Sequence, residues 1–213
     1  MSALFEQISE ALIDGMKDKV LKLVQQALDE GSAPKDLINN ALLSGMSEVG
    51  VLFKDGELFV PEVLVAARAM NAGIDLLKPL LAEGDIDKKG KIIFCTVRGD
   101  LHDIGKKLVS MMLEGAGYEV IDLGVDVSPE AILEAVKKHN PDIIGMSALL
   151  TTTMTAMKET VDALIENGLA SKVKVMVGGA PVSDRFAKEI GAQYAGDAAT
   201  AVEVANSLIA MGK

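Results

Sequence analysis

The chain has no tryptophan, one cysteine and two histidines among 213 residues. A single cysteine can build neither a disulfide framework nor a thiolate metal site, and Cys95, inside the apolar run 91–97, reads as core. Aromatic residues make up only 3% of the chain and the formal net charge is −10. Stacking platforms for bases are therefore missing, and the net field repels phosphate backbones, so no nucleic acid partner is expected. No apolar run reaches the roughly 18 residues needed to cross a bilayer. No basic stretch followed by a hydrophobic one marks the N-terminal region, and the expectation is a cytoplasmic protein without a membrane partner. At 49% hydrophobic and 24% charged residues, the chain is globular, with one or two domains and enough apolar material for a sizeable core.

Two kinds of periodicity divide the chain at the polar stretch Gly84 to Gly90, GDIDKKG. Ahead of it, apolar residues recur at helical spacing in four groups: Leu4, Ile8, Ala11, Leu12; Val20, Leu23, Val24, Ala27, Leu28; Leu37, Ile38, Ala41, Leu42, Met46, Val49; and Val63, Ala67, Met70, Ile74, Leu77, Leu81. Gly31 and Pro34 stop one helix and start the next, and Pro61 suits the first turn of the last. Residues 1–84 are thus expected to form a four-helix bundle, and 85–90 a linker.

From residue 91 to 213 the pattern becomes strand, loop, helix, repeated. Strands are expected at Lys91 to Val97, Tyr118 to Leu123, Ile143 to Ser147, Lys172 to Val177 and Gln193 to Ala195. Helices are expected at Ile104 to Gly115, Pro129 to His139, Thr153 to Asn167, Asp184 to Ile190 and Asp197 to Met211. Such alternation implies a parallel sheet covered by helices on both faces. Five strands suit a flavodoxin-like (Rossmann-type) α/β domain with order 2-1-3-4-5, whose ligand crevice opens at the switch point between strands one and three.

Three unusual loops fall on that edge. The first strand leads into Asp100-Leu101-His102-Asp103-Ile104-Gly105, a titratable metal ligand with a carboxylate two residues ahead of it. The third leads into Ser147-Ala148-Leu149-Leu150, then Thr151, Thr152 and Thr153, and the fourth into Gly178-Gly179. Each alone has an ordinary reading: a hydrogen-bonded turn, helix caps, backbone freedom after a strand. Their convergence beside His102 favours a site. His139, at an expected helix C-terminus, reads as a dipole partner, and the 11 methionines as adaptable core.

From Gly105 to Ser147 there are 41 intervening residues (106–146), and from Leu149 to Gly178 there are 28 (150–177). Asp-x-His-x-x-Gly, Ser-x-Leu and Gly-Gly at these separations resemble the fingerprint of cobalamin-binding domains. The helical segment before them is similar to the cap of methionine synthase and of corrinoid proteins serving methanol, methylamine and betaine methyltransferases. This resemblance implies that His102 is the lower axial cobalt ligand in place of the cofactor's own base. The displaced nucleotide tail would then run past Ser147, Leu149, Gly178 and Gly179. Asp100 would hold the other imidazole nitrogen, and Thr153 would stand where the family has a relay serine. Asp103, Ile104, Gly105 and Thr151 complete the implied cofactor contacts, and Phe53 and Val60 align with the aromatic and aliphatic residues that cover the corrin's methyl face.

The function implied is that of a methyl carrier cycling between cobalt(I) and methylcobalt(III), with cobalamin or a related corrinoid, in its methylcobalamin form, as cofactor. Its partners would be a substrate-specific methyltransferase and a methylcorrinoid-dependent acceptor methyltransferase using tetrahydrofolate or coenzyme M. A reductive activase would be a third. On this reading the chain has no catalytic site of its own. The cobalamin subunit of an adenosylcobalamin-dependent mutase, a cobalamin-sensing regulator and a ligand-free signalling domain share the topology. The methyl-face cap argues against the mutase, and the acidic chain lacks the basic segment of a DNA-binding regulator.

Overall fold

The computed structural model describes residues 3–81 and 88–211. Half of the expected linker, residues 85–87, lies outside them, as do residues 82–84 at the end of the expected bundle. The chain forms two compact units.

In the helical unit, α1 (Ala3–Ile13), α2 (Lys17–Asp29) and α5 (Val60–Leu77) are α-helical throughout. The third rod differs: α3 (Pro34–Leu37) passes through a π-helical segment, Ile38–Leu42, into α4 (Leu43–Lys54) without leaving helical backbone angles. Widening the helix leaves backbone carbonyls for outside donors, and the Ser9 hydroxyl of α1 donates to the Ala41 carbonyl at 2.9 Å. Helices α1 and α4 cross closely there, because a Cβ on Gly45 would stand 3.1 Å from the Ser9 Cα. The core is aliphatic, with Ile8, Leu12, Val20, Val24, Leu42, Met46, Val63 and Met70 all buried. At the start of α5 the Glu62 carboxylate accepts the Phe59 N–H at 2.6 Å, with Pro61 in the first turn.

The α/β unit holds five parallel strands in the order β2-β1-β3-β4-β5, as the alternation predicts. They are β1 (Lys91–Thr96), β2 (Glu119–Asp122), β3 (Ile143–Ser147), β4 (Lys174–Gly178) and β5 (Gln193–Tyr194). The fourth begins two residues later than expected because the Lys172 N–H closes a turn on the Leu169 carbonyl at 2.9 Å. The connecting helices are α6 (Ile104–Gly115), α7 (Pro129–His139), α8 (Met154–Glu166), α9 (Asp184–Glu189) and α10 (Ala198–Ala210). Ser128, Ser183 and Asp197 cap α7, α9 and α10 with their side-chain oxygens.

Strands buried on both faces explain the near-continuous apolar runs. Ile93, Cys95, Val97, Ile144, Met146 and Val177 pack with apolar residues of α7, α8 and α9. Burial pushes the Cys95 thiol up to about 12, leaving it inert. Neighbouring residues alternate to the other face, where α6 sends Lys106 to Asp122 and the Tyr118 hydroxyl donates to Asn206 of α10 at 2.8 Å. The C-terminal ends of β1 and β3 thus place their loops side by side, with Thr96 in register with Ser147 and Ser147 with Gly178.

Removing the Ser9 donor leaves the Ala41 carbonyl to weaker partners. Ser9→Ala is expected to destabilise the helical unit by about 1 kcal/mol, read as a lower urea midpoint with unchanged helical circular dichroism.

Candidate functional site

The Asp100 carboxylate is completely buried, and two loops converge on it. Its Oδ1 accepts from the His102 N–H at 3.1 Å and contacts His102 Nδ1 at 2.7 Å. Its Oδ2 accepts from the Leu149 N–H at 2.7 Å, the Leu150 N–H at 3.2 Å and the Thr153 hydroxyl at 2.8 Å. Burial alone would raise this carboxyl. The Leu149 and His102 N–H groups, the imidazole and the Thr153 hydroxyl outweigh it and hold Asp100 well below the usual carboxylate range. Facing an ionised carboxylate, Nδ1 must carry the proton, and Nε2 is left as the lone-pair nitrogen.

Further contacts fix the histidine. Thr96, fully buried at the end of β1, donates its hydroxyl to the His102 carbonyl at 3.0 Å. The loop after β2 grips the same turn: Asp126 Oδ1 accepts the Gly99 N–H at 2.7 Å, and the Asp126 N–H donates to the Asp100 carbonyl at 3.0 Å. The imidazole itself remains 53% exposed. The structure therefore delivers an oriented, outward-facing imidazole on a rigid loop. Sequence reading passed over Thr96, Asp126 and the Leu150 N–H; a threonine closing an apolar strand, and an aspartate in the loop before Ser128-Pro129, were the available signals.

Thr153 stands at the N-cap of α8 but makes no cap hydrogen bond there. Its hydroxyl lies within reach of Asp100 and of the Leu150 carbonyl at 2.9 Å, so its single proton goes to one of these two oxygens rather than to the helix end. Leu149 contributes through its backbone while its side chain stands in solvent. Ser147 is half-buried at the end of β3 and its hydroxyl has no partner among the described residues. Asp103 pairs with Lys107 at 2.5 Å on the surface, and Thr151 is exposed.

Gly178 and Gly179 answer first to the backbone. A Cβ on Gly178 would stand 2.6 Å from the Ala195 carbonyl oxygen, and Gly179, at φ +119°, would drive one into the Ala148 carbonyl. Gly105 is different, since a Cβ there would meet nothing within 4 Å. In the helical unit, Phe53 is half-buried in the last turn of α4 and Val60 exposed at the start of α5. The sequence reading passed over Phe59, the more exposed aromatic, at 66%. His139 ends α7, where its carbonyl accepts from Lys91 Nζ at 3.2 Å. Among the described residues no group of three or more His, Cys, Asp or Glu could hold a metal ion by itself, and no helix is long and apolar enough to cross a membrane.

Comparison with known proteins places this arrangement. A family model described as a B12 binding domain matches residues 90–205, and a second of the same description matches 4–78. Dimethylamine corrinoid protein 1 of Methanosarcina acetivorans is 46% identical over 209 residues, 97% of this chain and 98% of that one. The solved methanol:cobalamin methyltransferase complex MtaBC of Methanosarcina barkeri superposes with a TM-score of 0.91 at 38% identity, over 98% of this chain and 80% of that chain. A cobalamin-binding protein from Desulfitobacterium hafniense DCB-2 gives 0.79 at 35% identity, over 98% and 99%. The chain belongs to the B12-binding family, and within it to the corrinoid proteins of methyltransferase systems.

The residues present fit a corrinoid. A neutral imidazole held by a buried carboxylate is the donor that a cobalt ion takes. Around it stand apolar side chains that a soluble domain ordinarily hides: Ile104 is 81% exposed and Leu101 70%, with Leu149, Leu150 and Val125 exposed beside them. A large flat macrocycle laid on His102 would cover that surface.

Because the folded Asp100 carboxyl lies below its ordinary value, its stabilising effect is complete above about pH 5 and is lost as the pH falls through the folded value. Asp100→Asn is expected to lower stability against urea by about 2–3 kcal/mol at pH 7, with the gap from the parent narrowing progressively as the pH falls below about 5.

Proposed function

We propose that the chain is a methyl carrier that receives its methyl group from one protein and yields it to another, with His102 as the residue that would hold the cobalt and Asp100 and Thr153 as its relay. The observation that carries this reading is the saturated Asp100 carboxylate holding a half-exposed imidazole. A corrinoid bound there supplies a cobalt centre able to accept and release a methyl group.

The chain's own residues supply the control. Asp100 keeps the Nδ1 proton on His102, so Nε2 faces outward as a ligand. The Nδ1 contact to the buried Asp100 carboxylate would keep the ring oriented whether or not Nε2 is engaged by a corrinoid. The Thr153 hydroxyl and the Leu149 and Leu150 N–H groups hold the second carboxylate oxygen meanwhile. These contacts would hold the loop in one conformation around the imidazole. Ser147, Leu149, Gly178 and Gly179 would flank the displaced tail, Asp103, Ile104, Gly105 and Thr151 would border the ring, and Phe53 and Val60 would cover its methyl face. Dimethylamine relatives that exceed 40% identity support a methylated amine as the upstream donor, with methanol the alternative suggested by the MtaBC likeness. Tetrahydrofolate or coenzyme M would be the downstream acceptor, a reductive activase would restore the reduced cofactor, and the cytoplasm would be the setting.

Reconstituted with hydroxocobalamin and reduced to cobalt(II), the parent is expected to show hyperfine coupling to a protein nitrogen in its electron paramagnetic resonance spectrum, and His102→Ala to lose it. Coupling unchanged in the variant and traced to the cofactor's base would overturn the ligand assignment. Loaded with methylcobalamin, Phe53→Ala is expected to photolyse with higher yield than the parent. The reduced, loaded chain should take no methyl group from dimethylamine or methanol until a separate methyltransferase is added. Methylation by the isolated chain at enzymatic rates would sink the carrier reading.

A further inference from the structure

We infer that Asp126 is a positioning residue for His102: it locks the two residues that aim the Asp100 carboxylate, and so governs how firmly the imidazole would hold a cobalt ion. The inference rests on the corrinoid reading above and adds to it a residue from the loop after β2. Among the described residues only Asp126 and Asn140 combine a side chain with a positive φ, at +54° and +47°. Asn140 has an ordinary reason, since it closes the C-terminus of α7 in the left-handed conformation. Asp126 ends no helix. A left-handed backbone is costly for any residue with a Cβ, and it persists where the surroundings demand it. Gly124, two residues earlier, meets the same kind of demand without a side chain. What an aspartate adds at 126 is its carboxylate.

That carboxylate and the backbone behind it bracket one dipeptide. Asp126 Oδ1 accepts the Gly99 N–H at 2.7 Å and the Asp126 N–H donates to the Asp100 carbonyl at 3.0 Å, while the Asp100 N–H donates to the Val97 carbonyl at 3.1 Å. Gly99, at φ +82°, would otherwise be the freest joint of the turn. With both ends of Gly99-Asp100 held, the direction in which the Asp100 side chain enters the interior is set, and with it the oxygen that meets both the His102 N–H and Nδ1. The holding loop is itself anchored, because Val127 forms a parallel bridge with Val97 and its N–H donates to the Thr96 carbonyl at 3.1 Å. The other outside hold on the turn, Arg98 with Glu159, is an ion pair about half exposed on both sides and contributes little. Asp126 is the firmer grip, and it reaches the imidazole only through Asp100.

Asp126→Gly keeps the backbone conformation and removes the acceptor, whereas Asp126→Asn keeps both a tolerance of positive φ and an oxygen for the Gly99 N–H. Glycine is unstrained there, so the first variant should fold with the parent's circular dichroism. In the unloaded chain, amide hydrogen exchange at Gly99 and at His102 is expected to quicken at least about 5-fold in Asp126→Gly and to return toward the parent in Asp126→Asn. The full chain is then reconstituted with hydroxocobalamin, reduced to cobalt(II), and held at the pH where half of the parent shows coupling to a protein nitrogen. The ratio of coupled to uncoupled cobalt should fall about 5-fold in Asp126→Gly and recover in Asp126→Asn. Glu159→Gln should match the parent in both measurements. Unchanged His102 exchange or unchanged coupling in Asp126→Gly, a loss as large in Asp126→Asn, or an equal loss in Glu159→Gln would overturn the inference and leave the His102 reading standing. A parent without coupling to a protein nitrogen at any pH would overturn both.

Discussion

A carboxylate sealed from water keeps its charge only if hydrogen-bond donors replace the water it gives up. Asp100 meets this demand with donors from two loops that belong to different strands, and the remaining geometry follows from it. The strands must lie adjacent and in one register, because the Leu149 and Leu150 N–H groups reach Oδ2 only when Thr96 stands beside Ser147. His102 must turn its Nδ1 inward, since that is the edge the carboxylate accepts from. Thr153 must leave its helix N-terminus uncapped in order to face it. One buried charge therefore fixes a strand register, a tautomer and a helix start.

The helical unit obeys a different constraint. Its core is apolar, and its close rod-to-rod approaches fall at glycines. Gly45 admits α1 against α4, and Gly73 lies under the methyl groups of Leu42, where a Cβ would stand 3.0 Å from them. The π-helical segment rotates the residues that follow it relative to those before, so Leu37 and Met46 both reach the core from one rod. An uninterrupted 3.6-residue repeat would carry one of them off the buried side.

Much of this was legible from the chain, and the gaps have physical causes. Apolar strands bounded by polar loops, alternating with helical stripes, set the class and order of the sheet, because parallel pairing buries both faces of every strand. The β4 boundary slipped because Lys172 and Val173 look like strand residues, while a turn closing on Leu169 holds them back. The π segment was invisible, since Ile38–Leu42 has an ordinary helical pattern and the donor that rewards its widening lies 32 residues away on Ser9. At the site, Asp100 and His102 stood out by spacing, and Thr153 by the family pattern. Thr96 and Asp126 did not, because a threonine in a strand and an aspartate in a loop acquire meaning only from what faces them. The glycines at the end of β4 were placed along the cofactor's tail by resemblance; the carbonyls of Ala148 and Ala195 explain them without a ligand.

The donors to Asp100 Oδ2 lie 49 to 53 residues further along the chain. During synthesis, an aspartate emerging at position 100 therefore has its second carboxylate oxygen unenclosed until Thr153 has also left the ribosome and β3 has docked on β1. Until then His102 is an ordinary solvated imidazole in an unfinished loop. The competence of the histidine becomes a late event in folding, timed by the distance in sequence between a carboxylate and the amides that hold it.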